Sequence, residues 1–369
     1  MYLLIVFLAL CFCQSVSSVP ENDVPSANST KALFKRVDNP TYAIDGTCTR
    51  YPQVQDIVND WFQTVQVTSH RIDLGRADPH FQYAFQVLFD TDPNSNTLYK
   101  FELVEEPITA YDFVELVTTS LASLTPHADP DTKANLIFYC DDDAMNPTPY
   151  SNERWQLVPD IPGDPNPNSG RTLGINQEWF DQVNSISRTP STKGCKDVAN
   201  ARGEPTELET YNDPITPFLY GNRLPPVGIL QPTRSTITIC DCVLVANNPY
   251  YPTIASSLTA TLNRPRRQSP LRLYRPEYGR IVSAGLYHES THWMDLKLED
   301  EILRDGSIAY GWSKIMELNT FERLTNADTY MYLGLLARYE SLGWWLDRHE
   351  GRAYLGVMVP APAGWIPPW

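Results

Sequence analysis

The chain has 369 residues, 42% of them hydrophobic, which is enough for a sizeable core in one or two domains. Its formal charge is −15, with pI about 4.8; that balance argues against nucleic acid or an anionic membrane surface as a partner. Thirty-one Pro and twenty Tyr point to a loop-rich, aromatic, secreted protein rather than a helical bundle.

Met1 to Cys13 is an apolar run with the length of a signal-peptide core, too short to span a bilayer. Val16-Ser17-Ser18 follows, so residues 1–18 read as a signal peptide cleaved after Ser18, although no positive side chain precedes the run. Residues 19–36 are polar, end in the dibasic pair Lys35-Arg36 and read as a prosegment. The sequon Asn28-Ser29-Thr30 lies inside that removable piece. Without Cys11 and Cys13, five cysteines remain: Cys48, Cys140, Cys195, Cys240 and Cys242. A secreted context favours disulfides, and the odd number leaves one thiol over. Cys240 and Cys242 share one face of an expected strand, so each should seek a different partner. No later stretch is long and apolar enough to span a membrane.

From Tyr51 to about Val67, apolar residues at Val54, Ile57, Val58, Trp61, Phe62 and Val65 predict a helix. Residues 81–87 fit strand or helix equally well. A short strand is expected at 99–103, a helix at 110–124 and an apolar strand at 134–140 ending in Asp141-Asp142-Asp143, which reads as a solvated strand end. Residues 145–170 and 187–233 read as loop, with a short helix at 179–186 between them. Ser235 to Val245 is the clearest strand. Residues 263–276 form a basic exposed connection. Helices are expected at 310–318 and 327–346, and the tail beyond Val359 is Pro-rich and extended.

The sharpest signal is His288-Glu289-Ser290-Thr291-His292. In a chain with six histidines, chance predicts on the order of 0.005 such H-E-x-x-H patterns. Residues four apart share a helix face, so both imidazoles can reach one zinc ion. Glu289 beside them can take a proton from a water whose pKa the metal lowers toward ~7. Val282, Leu286, Trp293 and Leu296 form an apolar stripe beside that face, and no Pro or Gly interrupts 286–304. A third ligand should be a carboxylate. Asp295, Glu299, Asp300 and Glu301 would continue the helix, whereas Asp305 stands before Gly306, where the chain can turn back.

Three motifs in order resemble the deuterolysin-type metalloendopeptidases, or aspzincins, most of all the fungal lysine-specific branch. They are His288-Glu289-x-x-His292, Ile308-Ala309-Tyr310-Gly311-Trp312 and Asn326-Ala327-Asp328-Thr329-Tyr330. The family pattern is H-E-x-x-H, G-T-x-D-x-x-Y-G and N-A-D-[ST]-Y, and the match covers about residues 282–340. The resemblance implies His288 and His292 as Zn2+ ligands, Glu289 as general base, Tyr310 as donor to the developing oxyanion and Asp328 in a pocket for a substrate lysine. The family's ligand Asp, three before the Tyr, is replaced here by Ser307; Asp305 stands five before. Either Asp305 ligates from a shifted loop or the site has lost a ligand. The second acid of the lysine pocket is replaced by Met331.

The expectation is an α+β, zincin-like fold: helices on a small twisted sheet, the metal helix, and a helical C-terminal part in one domain over 37–350, with a Pro-rich tail at 351–369. The expected function is a secreted, monomeric zinc endopeptidase acting on proteins or peptides, with basic residues tolerated near the scissile bond. The alternative is a catalytically degenerate secreted zinc-binding protein of the same fold, which Ser307 favours and Glu289 opposes.

Overall fold

The computed structural model describes residues 39–101, 104–127, 134–140, 155–157, 179–181, 186–188, 208–211, 235–244, 250–263, 271–273, 280–293, 296, 298–349 and 351–365. The signal peptide, prosegment and sequon, Asp141 to Asp143, Cys195, the 264–270 part of the basic connection and most of the two expected loops lie outside the described residues.

Strand β1 (Thr41–Ile44) leads through a 3-10 turn at Gly46–Arg50 to α1 (Gln53–Gly75). This helix runs well past the expected end near Val67. Its inner face carries Val54, Ile57, Val58, Trp61, Val65 and Ile72, all buried, at the 3.6-residue spacing that builds one apolar stripe. The ambiguous 81–87 stretch is helical: α2 (Pro79–Phe89) starts with Pro inside its first turn and Asp78 capping His80 N. The expected strand at 99–103 is confined to β2 (Leu98–Tyr99), paired with β3 (Ile108–Thr109). Then come α3 (Ala110–Ala122), β4 (Thr125–Pro126) and β5 (Leu136–Tyr139).

The region read as loop around a short helix holds strands instead. β6 (Trp155–Leu157), β7 (Trp179–Asp181) and β8 (Ile186–Arg188) pair antiparallel, so the helix expected at 179–186 is replaced by two strands joined through residues 182–185. A run that short cannot be assigned by periodicity, and strand pairing settles it. β9 (Leu208–Tyr211) follows, then β10 (Ser235–Ile239), which ends sooner than expected in α4 (Asp241–Leu244). α5 (Ile254–Leu262) has a Thr253–Ser256 capping box. β11 (Leu271–Arg272) precedes α6 (Val282–Thr291), α7 (Trp312–Ile315), α8 (Thr320–Thr325) and α9 (Ala327–Ser341). The last helix stops at Leu342 because Gly343, at φ 82°, takes the left-handed position that closes a helix end. β12 (Trp344–Leu346) and β13 (Val357–Pro360) then pair, so the tail begins as a strand of a three-stranded sheet with β11.

Helices and a small, mostly parallel sheet make an α+β architecture. The main sheet runs β4-β1-β5-β10-β9, parallel except for β9 at the edge. β5 and β10 are buried along their whole length, as sheets covered by helices require. The disulfide Cys48–Cys140 ties the 3-10 turn to the end of β5. Cys240 is disulfide-bonded as well. No helix among the described residues is long and apolar enough to cross a membrane.

α1 is the pillar. It packs on the sheet through Trp61, whose ring stands edge-on to Phe138 at 5.0 Å, and on α3, α6 and α9. Gly334 permits the close crossing of α9, since a Cβ there would lie 3.1 Å from Thr64 Cγ2 and 3.4 Å from the Tyr287 ring. α9 is buried on nearly every side, and its charges are paired. Glu340 accepts from Arg71 Nε at 2.6 Å, and Arg338 donates to Gln63 at 2.8 Å. Buried Asp60 joins three helices: its Oδ2 accepts from Ile254 N at 2.9 Å and Ser283 Oγ at 2.6 Å, and its Oδ1 lies 3.5 Å from Arg338. It therefore satisfies the first turn of α5 and anchors that of α6.

Asp60→Ala leaves Ile254 N–H, Ser283 and Arg338 short of an acceptor in the core. Urea unfolding followed by circular dichroism should show a loss of about 2–4 kcal/mol. Asn59→Ala on the exposed face of the same helix should stay within about 0.5 kcal/mol.

Candidate metal centre

The H-E-x-x-H residues occupy the last turn of α6, with His292 as its C-cap. The helix does not continue to residue 304. Ser290 and Thr291 donate their hydroxyls to Tyr287 O (2.8 Å) and His288 O (2.7 Å), competing for carbonyls the helix would use. The turn tightens, with His292 N on Glu289 O and Trp293 N on Ser290 O. Trp293, Leu296 and Leu298 are all buried, and Leu298 N returns to Thr291 O at 3.2 Å. The chain thereby doubles back past the histidines instead of leading away from them.

That return brings Asp300 in. Its Oδ1 lies 3.3 Å from His288 Nε2 and 3.6 Å from His292 Nε2, and the two Nε2 atoms are 3.3 Å apart. His288, His292 and Asp300 form a group able to hold a metal ion, their ligand atoms all within 4.8 Å of one another. Asp300 Oδ1 is buried and has no hydrogen-bond partner, an arrangement that a cation among these three side chains would satisfy.

Both rings are oriented from behind. His292 Nδ1 lies 2.6 Å from Leu298 O, and His288 Nδ1 lies 3.1 Å from Asp328 Oδ1. A carbonyl can only accept, so His292 carries its proton on Nδ1 and its Nε2 lone pair faces the group. Burial opposes charge on His288, yet the Asp300 and Asp328 carboxylates at its two nitrogens outweigh it and push its pKa well up. Burial likewise opposes charge on Asp300, but the His288 ring beside it, then His292 and the Tyr310 hydroxyl, hold its carboxyl at about 2.

Glu289 is half-buried, its Oε1 4.0 Å from His288 Nε2. Tyr310 stands beside His288, ring centroids 5.5 Å apart, and donates its hydroxyl to Asp300 Oδ2 at 2.6 Å. The expected residues His288, Glu289, His292 and Tyr310 thus come together, and Asp328 joins them from the first turn of α9.

Two placements differ from expectation. Asp305 sits exposed at a hairpin tip, its Oδ1 accepting from Ser307 N at 2.9 Å, and takes no part in the group. Asp300 occupies the position expected of Asp305. The sequence did contain Asp300 as an acid downstream of the motif, but a helix continued through 299–304 would have carried it away. Asp328 is only 5% exposed. Its second oxygen accepts from Gly311 N at 2.5 Å, so each oxygen already has a partner within the protein. Gly311, at φ 91°, has a backbone that a side chain would strain, and that conformation aims its N–H at Asp328. Asp328 thus ties α9, the Tyr310–Gly311 turn and His288 together.

Asp328→Ala should lower divalent-metal affinity about 10- to 100-fold, read by competition with a chromogenic chelator, with partial recovery in Asp328→Asn. Unchanged affinity in the alanine variant would show that the Asp328–His288 contact does not matter.

In comparisons with known proteins, no family model, no curated protein and no solved structure matches this chain.

Proposed function

We propose that this chain is a secreted zinc-dependent endopeptidase of zincin-like fold, made with a signal peptide and short prosegment, that hydrolyses peptide bonds in protein or peptide substrates. The observation that carries the reading is the convergence of two imidazole nitrogens and the Asp300 carboxylate, with Glu289 alongside. Two histidines and one carboxylate are the donor set of a hydrolytic zinc site that keeps a position open. A zinc store has no use for a carboxylate base at that edge, so the pairing of Glu289 with the group supports catalysis over storage. The mostly parallel sheet with one antiparallel edge strand packed near α6 supports the zincin-like part of the reading.

His288, His292 and Asp300 would hold the zinc, and Leu298 O and Asp328 would keep the rings aimed at it. Bound zinc supplies Lewis-acid chemistry and makes water acidic near neutral pH. Glu289 takes the proton from water and passes it to the leaving amine. Tyr310 is suited to donate to the carbonyl oxygen as charge develops there. Its hydroxyl end is turned in toward Asp300 although the ring edge is exposed; burial first, then Asp300, raise its pKa far above the ordinary value, so it keeps its proton.

Purified protein freed of residues 1–36 should carry one zinc per chain and cleave unstructured protein substrates. Asp300→Ala should lose most of the zinc and all cleavage, while Asp305→Ala and Ser307→Ala keep both. Glu289→Gln should retain zinc and lose about 10²- to 10⁴-fold in kcat. Stoichiometric zinc without any cleavage would favour the degenerate zinc-binding alternative, and a chain that takes up no zinc would sink both readings.

A further inference from the structure

Residues 299–311 form a β-hairpin whose two faces differ sharply. Ile302 and Ile308 form an antiparallel bridge, and Leu303 N→Ser307 O and Ala309 N→Glu301 O, each 2.8 Å, fix the register on either side. Residues Arg304, Asp305 and Gly306 make the loop, with Gly306 at φ 81° in the left-handed position of a three-residue hairpin turn. In this register Asp300 stands directly across from Tyr310, and Ile302 across from Ile308. Side chains alternate along strands. One face therefore carries Leu303 and Ala309, exposed by 9% and 0%, and packs on the core. The other carries Asp300, Tyr310, Ile302 and Ile308.

That second face is apolar and open: Ile302 is 65% exposed, Ile308 42% and Tyr310 47%. Two isoleucines side by side on an outward face lose the burial that normally justifies them. The ledge is continuous with the metal group, because Tyr310 bonds Asp300 and Asp300 belongs to the group. Two residues of strand separate Ile302 from Asp300 and Ile308 from Tyr310, about 7 Å at roughly 3.3 Å per residue. Successive same-side residues of an extended peptide are spaced by the same interval. A peptide held with its scissile carbonyl at the metal group would lay a neighbouring side chain on the two isoleucines. Asp300 Oδ2 and Asp328 already accept from Tyr310 and Gly311, so these two acids spend part of their hydrogen-bonding capacity on the protein itself.

We infer that the Ile302–Ile308 ledge is the specificity subsite of this centre and selects a large apolar side chain beside the scissile bond. The inference rests on the metal-centre reading above and names its substrate class: peptides with leucine- or phenylalanine-sized residues flanking the cleaved bond, not lysine.

The test uses the zinc-loaded protein and a series of N-acyl amino-acid hydroxamates differing only in side chain, with affinities from calorimetry. Leucine and phenylalanine hydroxamates should bind at least about tenfold more tightly than the serine analogue. Ile302→Ser with Ile308→Ser should close that gap while leaving zinc content and the serine affinity unchanged. A peptide-library digest should show the same apolar preference and its loss in the double variant. Equal binding of all three hydroxamates, a preference for lysine, or a gap that survives the double substitution would overturn the ledge and leave the metal centre standing. Binding of none of them would overturn the metal-centre reading and the ledge with it. If the ledge is instead a self-association face, sedimentation will show a dimer that the double variant dissociates and the hydroxamates will show no gap, again against the inference.

Discussion

Helix α6 stops at the second histidine, and the rest of the centre depends on that stop. Had the helix run on, Asp300 would lie two turns beyond His292, roughly 12 Å along the axis at 1.5 Å per residue. No side chain bridges that distance. The hydroxyls of Ser290 and Thr291, bonded back to Tyr287 O and His288 O, weaken the helical ladder where the reversal begins. Buried Trp293, Leu296 and Leu298 then draw the chain back across the core. The same return supplies Leu298 O to His292 and carries the chain into the Asp300–Gly311 hairpin. One local event thus places a ring acceptor, a carboxylate and a tyrosine around two histidines.

Carboxylates do much of the positioning in this fold. Asp60 collects the starts of α5 and α6 and the Arg338 side chain of α9. Asp328 collects His288 and the Gly311 turn. Asp300 lies against both histidines and Tyr310. A buried carboxylate is costly unless donors meet it, so each of these residues constrains several elements at once. Asp60 is wholly structural. Asp328 lies between, since its partners are a backbone N–H and an imidazole that faces the group. Asp300 alone keeps an unpartnered oxygen directed at the imidazoles.

The five acids after the motif, from Asp295 to Asp305, show why proximity in sequence is a poor guide to ligation. Asp305, next to a glycine, has the chemistry of a chain reversal, and the chain does reverse there. The reversal is a hairpin turn, however, and its tip points away from the group, with Asp305 bonded to Ser307 N. Strand alternation sets Asp300 and Tyr310 on the same face as Ile302 and Ile308, so the acid facing the histidines and the apolar ledge follow from one register. A shift of one residue would turn Leu303 and Ala309 outward and Asp300 inward.

The sequence by itself determined that strongly periodic helices pass through Trp61 and over 110–124 and that apolar strands lie within 134–140 and 235–245, though not where each stops, and it paired His288, Glu289 and His292 on one helical turn. These are local facts: apolar spacing and a four-residue repeat are written within a dozen residues. Only the tertiary structure decided where α6 ends, that 179–181 and 186–188 are strands, that α9 gives way at Gly343 to a strand, and that Asp300 rather than Asp305 joins the histidines while Asp328 stands behind His288. Apart from the glycine stop at Gly343, these turn on a partner far along the chain or on burial of residues without regular spacing. Asp328 reaches His288 across forty residues, and Leu296 and Leu298 are fixed by the core they enter. No window of the sequence contains both sides of such contacts, so the acid that completes the metal group could be named among candidates but not chosen.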